Sequence, residues 1–387
     1  MLIPRRLTEH LNTLSDYFPA VSLTGPRQAG KTTLLKELYP NYTYLSLEDP
    51  SVRIPAQEDP KAFLKKFNDR VIFDEAQRFP ALFNYLQGVI DEDRHNTGRF
   101  ILSGSQNFLL RKNITQSLAG RVGIAKLMSL DNLELQNAEL LPKTIEAAIL
   151  EGGYPGRIDM SIQAESFYSA YISSYLERDV AELVSESNLL TFRLFIQRCA
   201  IEAGKTINFT KMAREVGVSV PTIQSWIGIL DQSYIIFRLP PFFRNLGKRL
   251  IKAPKLYFYD TGLLCYLLGL ESAEEVEMYP GRGELFENLM IADAFKSFHH
   301  QGVEPRFYFY RDRSQHEVDL VYERGNIAKL WEIKTAEEYR PRLIESLEKV
   351  AAMWDRPTES TLIYTGYESH YVRKSFLQPW EKMRWGK

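Results

Sequence analysis

Eight consecutive residues, Gly25-Pro26-Arg27-Gln28-Ala29-Gly30-Lys31-Thr32, carry the spacing G-x-x-x-x-G-K-[ST]. Their types suit one task, the holding of a row of phosphates. Gly25 and Gly30 let the backbone curl so that successive N–H groups face one concavity, and the helix that follows presents its positive end there. Lys31 has the reach for β- and γ-phosphates, while the Thr32 hydroxyl is a ligand for Mg²⁺. Residues 25 to 33, Thr33 included, form the expected nucleotide cradle. The same octet in isolation is a glycine turn before a helix. Here the apolar run Ala20-Val21-Ser22-Leu23 precedes it and helical spacing from Thr33 to Leu38 follows, which is the context the motif needs.

Binding phosphate is not hydrolysis, which needs a carboxylate pair. Arg70-Val71-Ile72-Phe73-Asp74-Glu75 is an apolar run ending in two acids, as a buried parallel strand delivers them. Asp74 is expected to hold Mg²⁺ through water, and Glu75 to polarise the attacking water as a general base. A further short strand, Arg99 to Leu102, ends in Ser103-Gly104-Ser105-Gln106. Ser105 and Gln106 are candidates for contact with the γ-phosphate or the lytic water; a plain polar turn is the other reading. Arg121 or Arg111 could complete the site as an arginine finger, in cis or from a neighbouring subunit of a homo-oligomer. ATP and Mg²⁺ are the expected ligands.

A second constellation lies in the last third. In Lys329 to Thr335, Glu332 and Lys334 are two apart and so share a strand face, with Ile333 behind them. Asp319, on the preceding strand of a hairpin, comes alongside Glu332, and Glu287 on an earlier helix is the natural extra ligand. Carboxylates fixing a metal, with a lysine (Lys334) to orient or deprotonate the nucleophile, are what metal-assisted phosphodiester hydrolysis requires. Cross-strand charge pairs also produce this pattern.

The elements that position these residues follow from periodicity. Alternating helix and strand up to about Leu130 implies a parallel sheet covered on both faces. Residues 131–203 read as helical, with an aromatic stripe from Phe167 to Tyr175 that suits helix packing. Phe209–Val216, a turn at Gly217, a helix from Val220 and a strand over Tyr234–Leu239 follow the plan of a winged helix-turn-helix. The basic run through Arg244, Lys248, Arg249, Lys252 and Lys255 is either a wing on a DNA backbone or a solvated hairpin. The division is 1–130, 131–203, 204–256 and 257–387. The last part ends in an αβ unit, with a helix over 343–354 and a strand over 361–364.

At 387 residues and a net charge of −1, no global field draws the chain to nucleic acid or membrane, so any such affinity must be local. The apolar stretch 262–270 is far shorter than the ~20 residues a membrane span needs. The first residues lack the apolar core of a signal peptide. Cys199 and Cys265, each in an apolar helical setting, suit buried thiols in a reducing cytoplasm.

Over almost its whole length the chain resembles a widespread prokaryotic family of predicted AAA-type ATPases. The marks are LTGPRQAGKTTLL, VIFDEAQ, ILSGSQNFLL, SLAGR, EGGYP, YLERDV, KLYFYDTGLL, GELFENL, HEVDLV and WEIKTA. The resemblance implies an ATPase core of the origin-recognition and STAND-like branch, a winged-helix middle, and a C-terminal α/β domain similar to the PD-(D/E)xK (restriction-endonuclease-like) nucleases. The expectation is therefore an ATPase whose nucleotide state repositions the winged-helix and C-terminal regions; an enzyme of two activities, an ATP-gated nuclease cutting DNA, is one rival. The alternative is a regulatory switch whose C-terminal domain only binds DNA or a protein.

Overall fold

A computed structural model of the chain describes residues 3–104, 117–175, 180, 184, 188–243, 253–312 and 314–386. Ser105, Gln106, Arg111, Arg244, Lys248, Arg249 and Lys252 lie outside the described residues, as does most of YLERDV.

Five parallel strands form the first sheet, in the order β2 (Thr43–Ser46), β3 (Val71–Asp74), β4 (Phe100–Gly104), β1 (Ala20–Thr24), β5 (Val122–Lys126). Alternation along the strands divides the core in two. Val21, Leu23, Ile72, Ile101 and Ala125 pack with Leu11 and Leu14 of α1 (Thr8–Tyr17) and Leu34 and Leu35 of α2 (Lys31–Leu38). Ala20, Val71, Phe73, Phe100, Leu102 and Val122 pack on the other face, where α4 (Pro60–Lys66) and α5 (Leu82–Glu92) supply Phe63, Leu64, Phe83 and Leu86. Between β2 and β3 the chain makes two helices, α3 (Pro50–Glu58) and α4; each opens with an aspartate cap, Asp49 or Asp59, followed by proline.

Strand β5 escaped the sequence reading because Gly123 interrupts its pattern. A Cβ at that position would lie 2.9 Å from both Leu14 and Phe18, so the close approach of α1 forbids a side chain there.

The middle is helical, as expected. Helices Asn132–Asn137, Ile145–Glu151, Pro155–Asp159, Ala164–Tyr175 and Leu189–Ile201 run in sequence. The aromatic stripe of Phe167, Tyr168, Tyr171 and Tyr175 is buried, and Tyr154 donates to the Tyr171 hydroxyl at 2.9 Å. These rings are core, not a stacking surface. Next come helices Phe209–Val216 and Val220–Gln232, joined through Gly217 (φ 79) and the Ser219 cap, then β6 (Ile236–Leu239) paired antiparallel with β7 (Lys255–Phe258). The division expected at 256/257 falls inside β7.

The 19-residue helix Arg282–His300, about 28 Å long, leads into a six-stranded sheet. Its order is β12 (His370–Val372), β13 (Ser375–Pro379), β11 (Thr358–Tyr364), β10 (Ile327–Lys334), β9 (Glu317–Arg324), β8 (Phe307–Arg311). Pairs β10/β11 and β11/β13 are parallel, the others antiparallel. Helix Glu345–Met353 carries the crossover between β10 and β11, after a short 3₁₀ turn at Pro341–Ile344. No helix among the described residues is long and apolar enough to cross a membrane. Cys199 and Cys265 are buried free thiols.

Candidate functional site

The loop from Gly25 to Thr32 leaves the end of β1 and enters α2, whose N-cap Gly30 has φ 89. Gly25 has φ 154, and a Cβ on it would lie 1.9 Å from the Leu127 carbonyl oxygen. Only glycine fits at that approach. Gln28 also takes a left-handed conformation, φ 58, which keeps the loop curled. Arg5, which sequence reasoning passed over, clamps the loop from behind: its guanidinium donates to the Ala29 and Met128 carbonyls, each at 2.7 Å, and to Glu134 at 3.1 Å. Lys31 donates to the carbonyls of Gly25 (2.9 Å) and Pro26 (2.8 Å), so its ammonium is held at the start of the loop.

Asp74, at the end of β3, meets this loop directly. Its Oδ2 accepts from Thr32 Oγ1 at 2.8 Å and from the Tyr44 hydroxyl at 2.5 Å. Its Oδ1 accepts from Ser103 at 2.5 Å and from the Glu75 N–H at 3.1 Å. Burial alone would raise the Asp74 carboxyl, but these four donors outweigh it and hold the group below the usual carboxylate range. Burial, and then the bond to Asp74, push the Tyr44 hydroxyl well up, so it remains a donor. Tyr44 and Ser103 joined the site only in three dimensions, since β2 and β4 flank β3. A hydroxyl and an ionised carboxylate converging at the mouth of the loop are the oxygen donors Mg²⁺ favours. Glu75 sits at φ 51, a strained geometry for this residue type, and Gln77 donates to its carboxylate.

Above the loop lies a cavity of about 790 Å³. Arg27, Gln28, Lys31, Thr32, Thr33 and Glu75 line one wall, while Pro155, Gly156, Asp159, Met160, Ile162 and Phe167 of the helical middle form the other. Its volume is that of a small-molecule site. Gly25, Pro26 and Ala29 shape the loop from outside this lining.

Arg121 does not belong to this site within one chain. The Ala20 N–H donates to the Arg121 carbonyl, which puts the residue at the start of β1, about 13 Å of strand away from the loop. There its guanidinium grips Asp91 through Nε at 2.8 Å and Nη2 at 2.9 Å. The expectation of a cis finger at Arg121 is withdrawn.

The C-terminal set also converges. Asp319 on β9 accepts from the Ile333 N–H at 2.8 Å, and Lys334 lies 3.2 Å from Asp319 and 2.7 Å from Glu332. Burial, with the Asp319 charge beside it, pushes the Glu332 carboxyl up to about 8, and its Oε2 is buried without a hydrogen-bond partner. That unpartnered oxygen fits a cation. Glu287, on the long helix, accepts from Tyr257 at 2.5 Å and from Lys255 at 3.2 Å. Burial and the Asp319 charge raise it as well. The ligand atoms of Glu287, Asp319 and Glu332 do not all fall within 4.8 Å of one another. Lys255, expected on a DNA-facing surface, is instead buried against Glu287 and Glu317. It offers no charge to a phosphate backbone there, because pairing with β6 turns it inward.

A third cluster, Asp131, Glu134 and His300, has its ligand atoms within metal-binding distance. It is an ion-pair junction. Arg5 and Arg6 hold the two acids, and His300 accepts the Met128 N–H on Nε2, which directs its Nδ1 proton to Asp131.

A family model described as an AAA domain matches residues 17–136. Two models described as domains of unknown function, DUF8612 and DUF4143, match residues 142–274 and 282–383. Among solved structures, the Walker-type ATPase PABY2304 of Pyrococcus abyssi is 14% identical, with 69% of this chain and 96% of that one covered and a TM-score of 0.44. The ADP form of ORC2 from Aeropyrum pernix is 16% identical, with 70% and 92% covered and a TM-score of 0.34. The uncharacterized protein Rv2008c of Mycobacterium tuberculosis and Mb2031c of Mycobacterium bovis are each 31% identical over 340 residues, 86% of this chain and 74% of theirs. With an AAA domain over residues 17–136 and that identity across most of both chains, the protein belongs to the same family as these two mycobacterial proteins.

Proposed function

We propose that the chain is an Mg²⁺-dependent ATPase whose nucleotide state controls its middle and C-terminal regions. The observation that carries this is the contact between Thr32 and Asp74 at the mouth of a glycine loop, beneath a cavity of about 790 Å³. In this reading the N–H groups of residues 25–33 cradle the phosphates, Lys31 swings from its own loop carbonyls to the β- and γ-phosphates, and Thr32 and Asp74 hold the cation. The bound Mg²⁺ would neutralise charge on the transferring phosphoryl group. Glu75 orients and deprotonates the attacking water. Gln106 keeps its expected contact with the γ-phosphate or the lytic water, and an arginine finger would be Arg111 or come from a neighbouring subunit.

Two contacts favour communication beyond the loop. Thr24, just before Gly25, shares a hydrogen bond of 2.8 Å with Tyr234, which enters β6 after the helix–turn–helix. Arg5 links the Ala29 carbonyl to Glu134, beside His300 at the end of the long helix that carries Glu287. We read residues 204–256 as a winged helix and the C-terminal region as PD-(D/E)xK-like, with Glu287, Asp319 and Glu332 around Mg²⁺ and Lys334 beside it. A DNA-facing role would fall to residues 244–252, since helix Val220–Gln232 contains no lysine or arginine. The second reading, a C-terminal domain that binds without cutting, is favoured because the ligand atoms of its three carboxylates do not all lie within 4.8 Å of one another.

The test is Glu75→Gln in the full chain. ATP affinity should stay within about threefold of wild type while turnover falls on the order of a hundredfold, since only water activation is removed. An equal loss of both would make Glu75 a binding or structural residue and would remove the proposed base.

A further inference from the structure

The C-terminal carboxylates are embedded in a larger charge arrangement than the one read from β9 and β10. Lys255 Nζ lies 2.6 Å from Glu317 and 3.2 Å from Glu287, and Lys334 Nζ lies between Glu332 and Asp319. Glu317 and Asp319 are two apart on β9 and share a face; so are Lys255 and Tyr257 on β7. Four carboxylates thus face two ammonium groups and the Arg311 guanidinium, 3.8 Å from Glu317. With all four carboxylates ionised, one negative charge is left over, which a divalent cation would offset. The side chain of Lys255 is only 9% exposed and passes the Phe309 ring at 5.4 Å. Burying an ammonium that deeply is costly unless the carboxylates around it make up the loss.

We propose that Lys255 is a positioning residue of the C-terminal cation site, contributed from outside the α/β unit that holds the other ligands. It ties Glu287 to Glu317 and so fixes the long helix against β9, setting the field the cation enters. The inference rests on the reading of Glu287, Asp319 and Glu332 as a divalent-cation site. Beside the cluster opens a cavity of about 390 Å³, whose lining mixes Lys205, Arg311 and Lys334 with Glu284, Glu287 and Glu317. The stretch 282–383 matched by the C-terminal family model contains neither Lys255 nor Tyr257, so that stretch alone carries an incomplete site.

The experiment is Mn²⁺ titration of the full chain by calorimetry and electron paramagnetic resonance, with ATP binding as the check on folding. Wild type should bind Mn²⁺, and Glu332→Gln should weaken it tenfold or more. Lys255→Met removes one positive charge beside the cation and should tighten Mn²⁺ about three- to tenfold. Lys255→Met combined with Glu317→Gln restores the net charge and should return the affinity to near wild type. If Lys255→Met does not fold, Glu317→Gln alone carries the test and should weaken Mn²⁺ several-fold. Mn²⁺ affinity unmoved by Lys255→Met or by Glu317→Gln, with Glu332→Gln still damaging, would overturn the role of Lys255. Wild type without an Mn²⁺ site, or Glu332→Gln without effect, would overturn the cation reading itself.

Discussion

Replacing Asp74 by asparagine separates charge from shape at the centre of the P-loop site. Two oxygens of Asp74 receive four donors: Thr32 and Tyr44 on one, Ser103 and the Glu75 N–H on the other. An amide keeps one oxygen and turns an NH₂ toward the remaining pair. Hydrogen bonds to a charged group contribute about 1.5–3 kcal/mol each, so losing two costs about 3–6 kcal/mol. Hydroxyls can rotate to accept from the new NH₂, which lowers the figure to about 2–4 kcal/mol. The sign with pH follows from the depressed carboxyl. Its stabilisation is fully present above the unfolded value of roughly 4 and is lost as pH falls through the lower folded value. Asp74→Asn should therefore lower the urea midpoint most at neutral pH, with the gap closing below about pH 4. ATP turnover at saturating Mg²⁺ should fall at least a hundredfold, because the amide loses the charge proposed to hold the cation. A variant within about 0.5 kcal/mol of wild type at pH 7, or with turnover above a tenth of wild type, would refute this account of Asp74.

Lys31→Ala should abolish turnover and weaken ATP binding at least tenfold, read by equilibrium binding of a fluorescent nucleotide, because among the described residues no other lysine lines the loop cavity. Asp293, raised to about 6 by burial and by Asp131 nearby, should make the folded chain less stable as pH rises from about 4 to 6. Asp293→Asn should remove up to about 3 kcal/mol of that slope, measured as urea midpoints from pH 4.5 to 7.5; an unchanged slope would mean that another group titrates there.

What was legible in the sequence was local. The glycine loop, the acids after β3 and the two helices on either side of the Gly217 turn announce themselves through contiguous residues. The parallel sheet followed from alternation. What stayed hidden depends on pairing between distant segments. Tyr44 reaches Asp74 only because β2 lies beside β3, and Arg5 reaches Ala29 across the whole loop. Lys255 looked like one more member of a basic run until β6 turned it toward Glu287 and Glu317. Glu317 carried a readable signal, its two-residue spacing from Asp319. Arg121 kept a generic surface signature, and only its place at the start of β1 separates it from the loop.

The measurement closest to the central claim is steady-state ATP turnover by the purified full chain, titrated with Mg²⁺. The account predicts phosphate release that saturates with Mg²⁺, vanishes with a chelator, and is absent from the Lys31→Ala and Asp74→Asn chains. Turnover that persists in either variant, or a wild-type chain that neither binds ATP nor releases phosphate at any Mg²⁺ concentration, would contradict it.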